Sequence, residues 1–309
     1  MTAVKPATDG YLTVWPCGAP MPSTSNLNYS PGENTAGLVI SKVGAEGTVC
    51  VYTSAAVQLV VDVNGYSLGS GLISIQPVRQ LDTRHGPRPL AGATLEVPLR
   101  GTVLPGDAVA AVLTVTAVRG SENGFVTVWP CGEPLPTVSS VNYRAGRNRA
   151  NLVVATIGAN DAVCVSASSS VDIVVDVTGY VTGLHSDLSM PHRVIDTRSD
   201  TPVSPQKVLE VTAPAGATAI LLNLTATRAA ATGFAVAWSC DDPRPLTSNL
   251  NFRPGANSAN FAIVKVGPTG KVCIATSAPV DIVVDVFGTF SGVDNYQPLT
   301  PQRVVDTRR

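Results

Sequence analysis

Six cysteines are the most reactive side chains in this sequence of 309 residues, and their spacing is regular. Cys17 and Cys50, Cys131 and Cys164, and Cys240 and Cys273 are each separated by 33 positions. Pairs of thiols can oxidise to disulfides or ligate a metal. A metal site needs about four ligands close together. The chain has no Cys-x-x-Cys, and its three histidines, His85, His185 and His192, do not recur with the cysteines. The pattern therefore predicts three disulfides, each stabilising by roughly 3–4 kcal/mol in the loop-entropy picture. It also predicts an oxidising compartment outside the cytosol.

Carboxylates and guanidinium groups recur as well. Asp62, Asp176 and Asp285 sit in strongly apolar stretches. A segment Pro-x-Arg-x-x-Asp-Thr-Arg appears three times, carrying Arg79, Asp82 and Arg84, then Arg193, Asp196 and Arg198, then Arg303, Asp306 and Arg308. A carboxylate buried without a partner is costly. The expectation is an Arg–Asp network that fastens each segment to its own module. Calcium on the aspartates is the rival, but no EF-hand spacing is present. No metal and no cofactor are expected.

A third set is aromatic. Trp15, Trp129 and Trp238 follow Tyr11, Phe125 and Phe234 by four positions, which places each pair on one face of a strand. Such a pair could stack on a sugar or fill a core. Beyond each tryptophan a loop opens at Asn28, Asn142 or Asn251, with a glycine at a fixed place that suggests positive φ. The second loop carries Arg144, Arg147 and Arg149 where the first has Ser30, Glu33 and Thr35 and the third has Arg253, Ala256 and Ser258. Variation on a shared loop either diversifies binding or reflects neutral drift. Catalytic motifs of the Gly-x-Ser-x-Gly, His-Glu-x-x-His or phosphate-loop kinds are absent, so no enzyme is expected.

The elements that must position these residues repeat too. Gly10-Tyr-Leu-Thr-Val-Trp-Pro-Cys17, Gly124-Phe-Val-Thr-Val-Trp-Pro-Cys131 and Gly233-Phe-Ala-Val-Ala-Trp-Ser-Cys240 each read as a strand. Short β-branched runs between turn signals fill the rest, so the fold class is all-β. Three modules of about 110 residues follow, over 1–84, 85–198 and 199–309. Each is expected to be an antiparallel β-sandwich with one disulfide, tying its Trp strand to the opposite sheet. The first module starts partway through the repeat and so exposes an edge. For residues 301–308 three placements compete: a cut from a longer array, a closing strand for the module just before it, or a strand completing module one in a pseudo-threefold ring. The second is the reading adopted.

Lys and Arg number 21 against 22 Asp and Glu, for a net charge of −1, which disfavours a nucleic-acid partner. No apolar run is long enough to insert in a membrane as a helix.

The Pro-x-Arg-x-x-Asp-Thr-Arg segment, the Gly-Phe-Val-Thr-Val-Trp-Pro-Cys strand and the Asp-Val-x-Gly-Tyr closing strand resemble tandem repeat modules of secreted and cell-surface actinobacterial proteins. The resemblance spans nearly the whole chain. It implies an exported accessory region whose role is binding or display, located extracellularly or at the cell surface. The expected function is non-catalytic and lectin-like, with multivalent recognition of a surface glycan or cell-wall polymer. The alternative is a structural module that spaces or assembles a larger particle with another secreted protein.

Overall fold

The computed structural model describes residues 1–183, 185–292 and 295–308. The first repeat holds β1 (Thr2–Val4), β2 (Gly10–Pro16), β3 (Leu27–Tyr29), β4 (Thr35–Ala36), β5 (Val49–Thr53) and β6 (Gln58–Tyr66). The second holds β7 (Leu72–Asp82), β8 (Thr94–Pro98), β9 (Ala108–Val118), β10 (Gly124–Pro130), β11 (Val141–Tyr143), β12 (Arg149–Thr156), β13 (Ala162–Ala167) and β14 (Asp172–Thr182). The third holds β15 (Ser186–Asp196), β16 (Leu209–Thr212), β17 (Ala217–Thr227), β18 (Gly233–Ser239), β19 (Leu250–Phe252), β20 (Ser258–Lys265), β21 (Lys271–Thr276) and β22 (Asp281–Ser291), and β23 (Gln297–Asp306) follows. No α-helix occurs among the described residues.

These strands form six antiparallel sheets arranged as a six-bladed β-propeller, which overturns the expectation of three sandwiches. Each repeat contributes two blades. One edge strand of every sheet faces its counterparts, and these edges lie against one another in the cyclic order β4, β3, β12, β11, β20, β19 and back to β4. The physical reason is visible in burial. A sandwich strand buries one face and wets the other. Here β9, β14, β17 and β22 are buried on nearly every residue, because each blade is covered on both faces by its neighbours. The core is accordingly shared between repeats: Val112, Leu113 and Val175 belong to the same apolar cluster as Leu221, Phe261 and Phe290.

Two further expectations change with the architecture. The residues of β23 leave the third repeat and pair with β6, with Arg303 opposite Asp62 and Asp306 opposite Val60. That is the ring-closing placement, so the adopted closing-strand reading is overturned. The earlier copies behave alike, β7 pairing with β14 and β15 with β22. The disulfides also differ from expectation. All three form, but each lies within a single blade, where Trp129 of β10 stands opposite Cys164 of β13 and Cys131 follows one residue past β10.

Candidate functional site

Each Pro-x-Arg-x-x-Asp-Thr-Arg segment ends a module as the sequence was divided, at residues 84, 198 and 309, yet pairs in a blade of the following one, so β7 and β15 are counted above with the repeats they enter. The pairing of β7 with β14 slips by one residue beside Gln80, a bulge that sets Arg79 directly opposite Asp176. Arg79 Nε donates to Asp176 Oδ1 at 2.9 Å and Nη2 to Oδ2 at 3.2 Å, while Nη2 also reaches the carbonyl of Ser23 at 3.2 Å. Arg193 repeats this with Asp285 at 2.9 Å and the Thr137 carbonyl at 2.9 Å. Arg303 repeats it with Asp62 at 2.9 Å and the Leu246 carbonyl at 3.0 Å. Ser23, Thr137 and Leu246 lie in the Pro-rich turn of the preceding repeat. Each arginine therefore clamps two repeats together, where the sequence expectation kept the network inside one module.

A second arginine completes the clamp. Arg84, Arg198 and Arg308 each fork onto the carboxylate two residues back, with Nε at 2.8 Å from Asp82, Asp196 and Asp306 respectively. This bond holds the Asp82 carboxyl well below the usual carboxylate range and brings Asp196 and Asp306 to about 2. Burial pushes Asp176 and Asp285 the other way, against the pull of Arg79 and Arg193. The carboxylates are thus occupied by guanidinium groups. The one group of metal-type ligands among the described residues is Glu210 with Cys240 and Cys273, whose sulfurs are bonded to each other.

The tryptophans are largely enclosed. Trp129 and Trp238 are buried and Trp15 is partly so. Their indole Nε1 atoms donate to the carbonyls of Ala19, Glu133 and Asp242 at 3.0, 3.0 and 3.1 Å, closing the turn beside each disulfide. Arg244 also covers Trp238, 5.8 Å from its ring centre. Tyr11, Phe125 and Phe234 are exposed at the far end of the same strands, about 13 Å away at strand rise. Thr13 and Thr127 are buried between the two aromatics. The pairs do not make a flat stacking platform.

The loops over residues 28–36, 142–150 and 251–259 do converge. They gather at one end of the axis, around a narrow mouth of about 40 Å³. Gly32, Gly146 and Gly255 turn these loops at φ values of +71°, +70° and +72°. Ser25, Ser139 and Ser248 donate to the side-chain oxygens of Asn28, Asn142 and Asn251. Asn28 and Asn142 line the mouth, and with them stand Arg144, Arg147, Arg149 and Glu33. Arg144 lies 3.8 Å from Glu33, and Arg253 forms an ion pair with the same carboxylate. Arg147 pairs with Asp9 at 2.7 Å, and Arg149 donates to the Ala259 carbonyl at 3.3 Å. Burial lowers the pKa of Arg149, with Glu33 opposing. Nε of Arg253 is buried without a hydrogen-bond partner. Four arginines thus face two carboxylates, on a chain whose net charge is −1. The loop comparison in the sequence named Glu33 and Arg253 only as what the first and third loops carry in place of the second loop's arginines; the structure brings Glu33 into contact with both Arg253 and Arg144.

A larger opening of about 470 Å³ lies by the disulfide turn of the second repeat, between Glu133, Thr156 and Met190. In the third repeat the same place is filled: Lys265 reaches Asp242 at 3.0 Å and Thr300 donates to that carboxylate at 3.0 Å.

The three disulfides indicate an oxidising environment, and no helix is long and apolar enough to cross a membrane among the described residues. Scans against protein-family models and against the curated proteins find no match to this chain.

Proposed function

We propose that this chain is a non-catalytic binding protein of the extracellular space or cell surface, and that its ligand is an acidic surface glycan or wall polymer taken at the axial mouth. The observation that carries this reading is the meeting of three sequence-variable loops at one point where arginines outnumber carboxylates. Charge-assisted hydrogen bonds from guanidinium groups suit carboxylate and phosphate groups. The loops then act as one composite site, and the buried indoles take no part. A propeller is compatible with such a role. The test is binding to a glycan array and to soluble polymers that do and do not carry uronate or phosphate. Salt-sensitive binding to the acidic members is expected, weakened roughly tenfold or more by Arg144→Ala with Arg253→Ala. Equal binding to neutral and acidic glycans, or none to either, overturns it.

A further inference from the structure

The disulfide turn occurs three times, and beside it the three repeats carry different parts of one ion pair. In the third repeat Lys265, the last residue of β20, reaches Asp242 with Nζ 3.3 Å from Oδ1 and 3.0 Å from Oδ2, and Thr300 donates to Oδ2 at 3.0 Å. The ammonium holds the Asp242 carboxyl below its ordinary range. The open space left around this pair is about 10 Å³. In the second repeat Glu133 stands at the place of Asp242, Thr156 at that of Lys265 and Met190 at that of Thr300. The first repeat has Lys42 at the place of Lys265 and Ala19 at that of Asp242. Cation and anion therefore meet in the third repeat alone.

The second repeat keeps the anion and lacks what faces it in the third. The Glu133 carboxylate has no hydrogen-bond or ion-pair partner among the described residues, and a Met190 thioether cannot donate as the Thr300 hydroxyl does. The opening beside it measures about 470 Å³, a size usual for clefts that hold small ligands. Ile157, Leu188 and Met190 wall it, all half-buried, and the first two pack on the core. A carboxylate beside a firm apolar wall suits one kind of ligand, a carbon chain that ends in a cation.

We propose that this opening binds a primary alkylammonium group, with the ammonium on Glu133 and the carbon chain along Ile157, Leu188 and Met190. The molecule itself defines this occupant, because Lys265 is a butylammonium side chain seated on the corresponding carboxylate. The stem of such a group covers apolar surface while its head stays partly wet. Binding then combines a modest ion pair with burial of methylene groups. Neither other repeat offers the combination, since Asp242 is already occupied and Ala19 carries no charge. One ligand per chain follows. A free diamine and the lysine side chain of another protein present this same group, and the experiment separates them.

The experiment titrates the intact chain with cadaverine and, separately, with acetyl-lysine methylamide, and follows backbone amide chemical shifts. The controls are n-pentanol, a chain without charge, and ammonium chloride, a charge without chain. The expected result is one amine per chain with millimolar affinity or better, weakened by added salt, and shifts confined to residues 130–133, 156–159 and 188–190. Glu133→Gln should weaken binding about threefold or more. Thr156→Lys, which supplies an ammonium from within the chain, should weaken it about tenfold or more. Lys265→Thr should instead admit a second amine by vacating Asp242. If Thr156→Lys does not fold, Glu133→Gln decides alone. A response to cadaverine alone assigns the site to a free diamine, and one to the lysine derivative at least as strong assigns it to a protein side chain; both support the proposal. No shift with either amine, an undiminished response in the Glu133→Gln chain, or an equal response to n-pentanol overturns it. No acidic polymer enters these readouts, so they stand or fall apart from the axial mouth.

Discussion

At Arg79, Arg193 and Arg303 the three repeats do the same thing, while around the axis they do three different things. The clamp positions are copied down to the carbonyl each arginine reaches in the preceding turn. At the mouth, Glu33 of the first loop, Arg147 and Arg149 of the second and Ala256 of the third stand side by side in one depression. The difference follows from what each region must satisfy. A clamp carboxylate such as Asp285 is fully enclosed, and only a guanidinium in a fixed place compensates it. A mouth arginine is partly wet and can change without stranding a charge. Sameness serves the ring, and variation serves the opening.

The sharpest way to break this comparison is to remove a clamp cation. Deleting one partner of a buried ion pair costs about 3–5 kcal/mol, because the other charge is left unpaired. Arg79→Ala and Arg193→Ala should each lose about that much in urea unfolding, since the side chains of Asp176 and Asp285 are 1% and 0% exposed. Arg303→Ala should lose clearly less, because Asp62 is 10% exposed and water can share its charge. Equal losses at all three would mean that the clamps do not act through buried charge. Next in size, replacing Cys131 and Cys164 together by serine should cost roughly 3–4 kcal/mol in the same assay, for the loop of 33 residues that the disulfide closes.

The mouth supplies the contrasting arm. Arg144→Ala and Arg147→Ala should each change stability by less than about 1 kcal/mol, since exposed ion pairs are worth little. The same variants should weaken binding to acidic polymer. A mouth variant that unfolds the chain would place these loops with the clamps.

Acid sharpens the comparison further. The Arg198 fork lowers Asp196 from an ordinary 3.8 to about 2 in the folded chain. A depressed carboxylate adds stability above its unfolded pKa and loses it as pH falls through its folded value. Asp196→Asn should therefore lower Tm at pH 7, and the gap should close between pH 4 and pH 2. Burial shifts Asp285 upward, so it works against folding as pH rises and does not mimic this effect. A gap that stays constant across the range would assign the loss to packing alone.

Much of this was legible from the residues. The cystine pairs and the strand reading of the Trp stretches follow from spacing, and the need of Asp62, Asp176 and Asp285 for a guanidinium follows from the cost of bare charge, but the partners do not: Arg303, Arg79 and Arg193 reach them from other modules than the ones expected. The propeller was not legible from local pattern. A strand such as Ala-Val-Ala-Ala-Val-Leu-Thr-Val states that both faces are covered but not by what, and the covering blades come from neighbouring repeats. The role of the tryptophans was ambiguous for the same reason. Alternation in β10 puts Phe125 and Trp129 on one face, and only the turn at Glu133 decides that the indole is sealed in. The mouth was half legible. Charge variation among the loops is in the sequence, but their meeting at one point depends on ring closure through β23 and β6.

The smallest effect tests whether variation between repeats can be exchanged at all. Lys265, Asp242 and Thr300 fill the site by the third disulfide turn, and the second repeat has Thr156, Glu133 and Met190 there, around about 470 Å³ of open space. Thr156→Lys places a cation where Lys265 stands, with Glu133 in the role of Asp242. A partly exposed ion pair of this kind contributes roughly 0.2–1 kcal/mol, so a small rise in stability is expected, one that added salt reduces. The paired change Lys265→Thr should cost a similar amount in the third repeat. If Thr156→Lys destabilises instead, Met190 blocks the path that Thr300 leaves open. The two turns would then be separate packings, and difference between repeats would reach into the framework as well as the mouth.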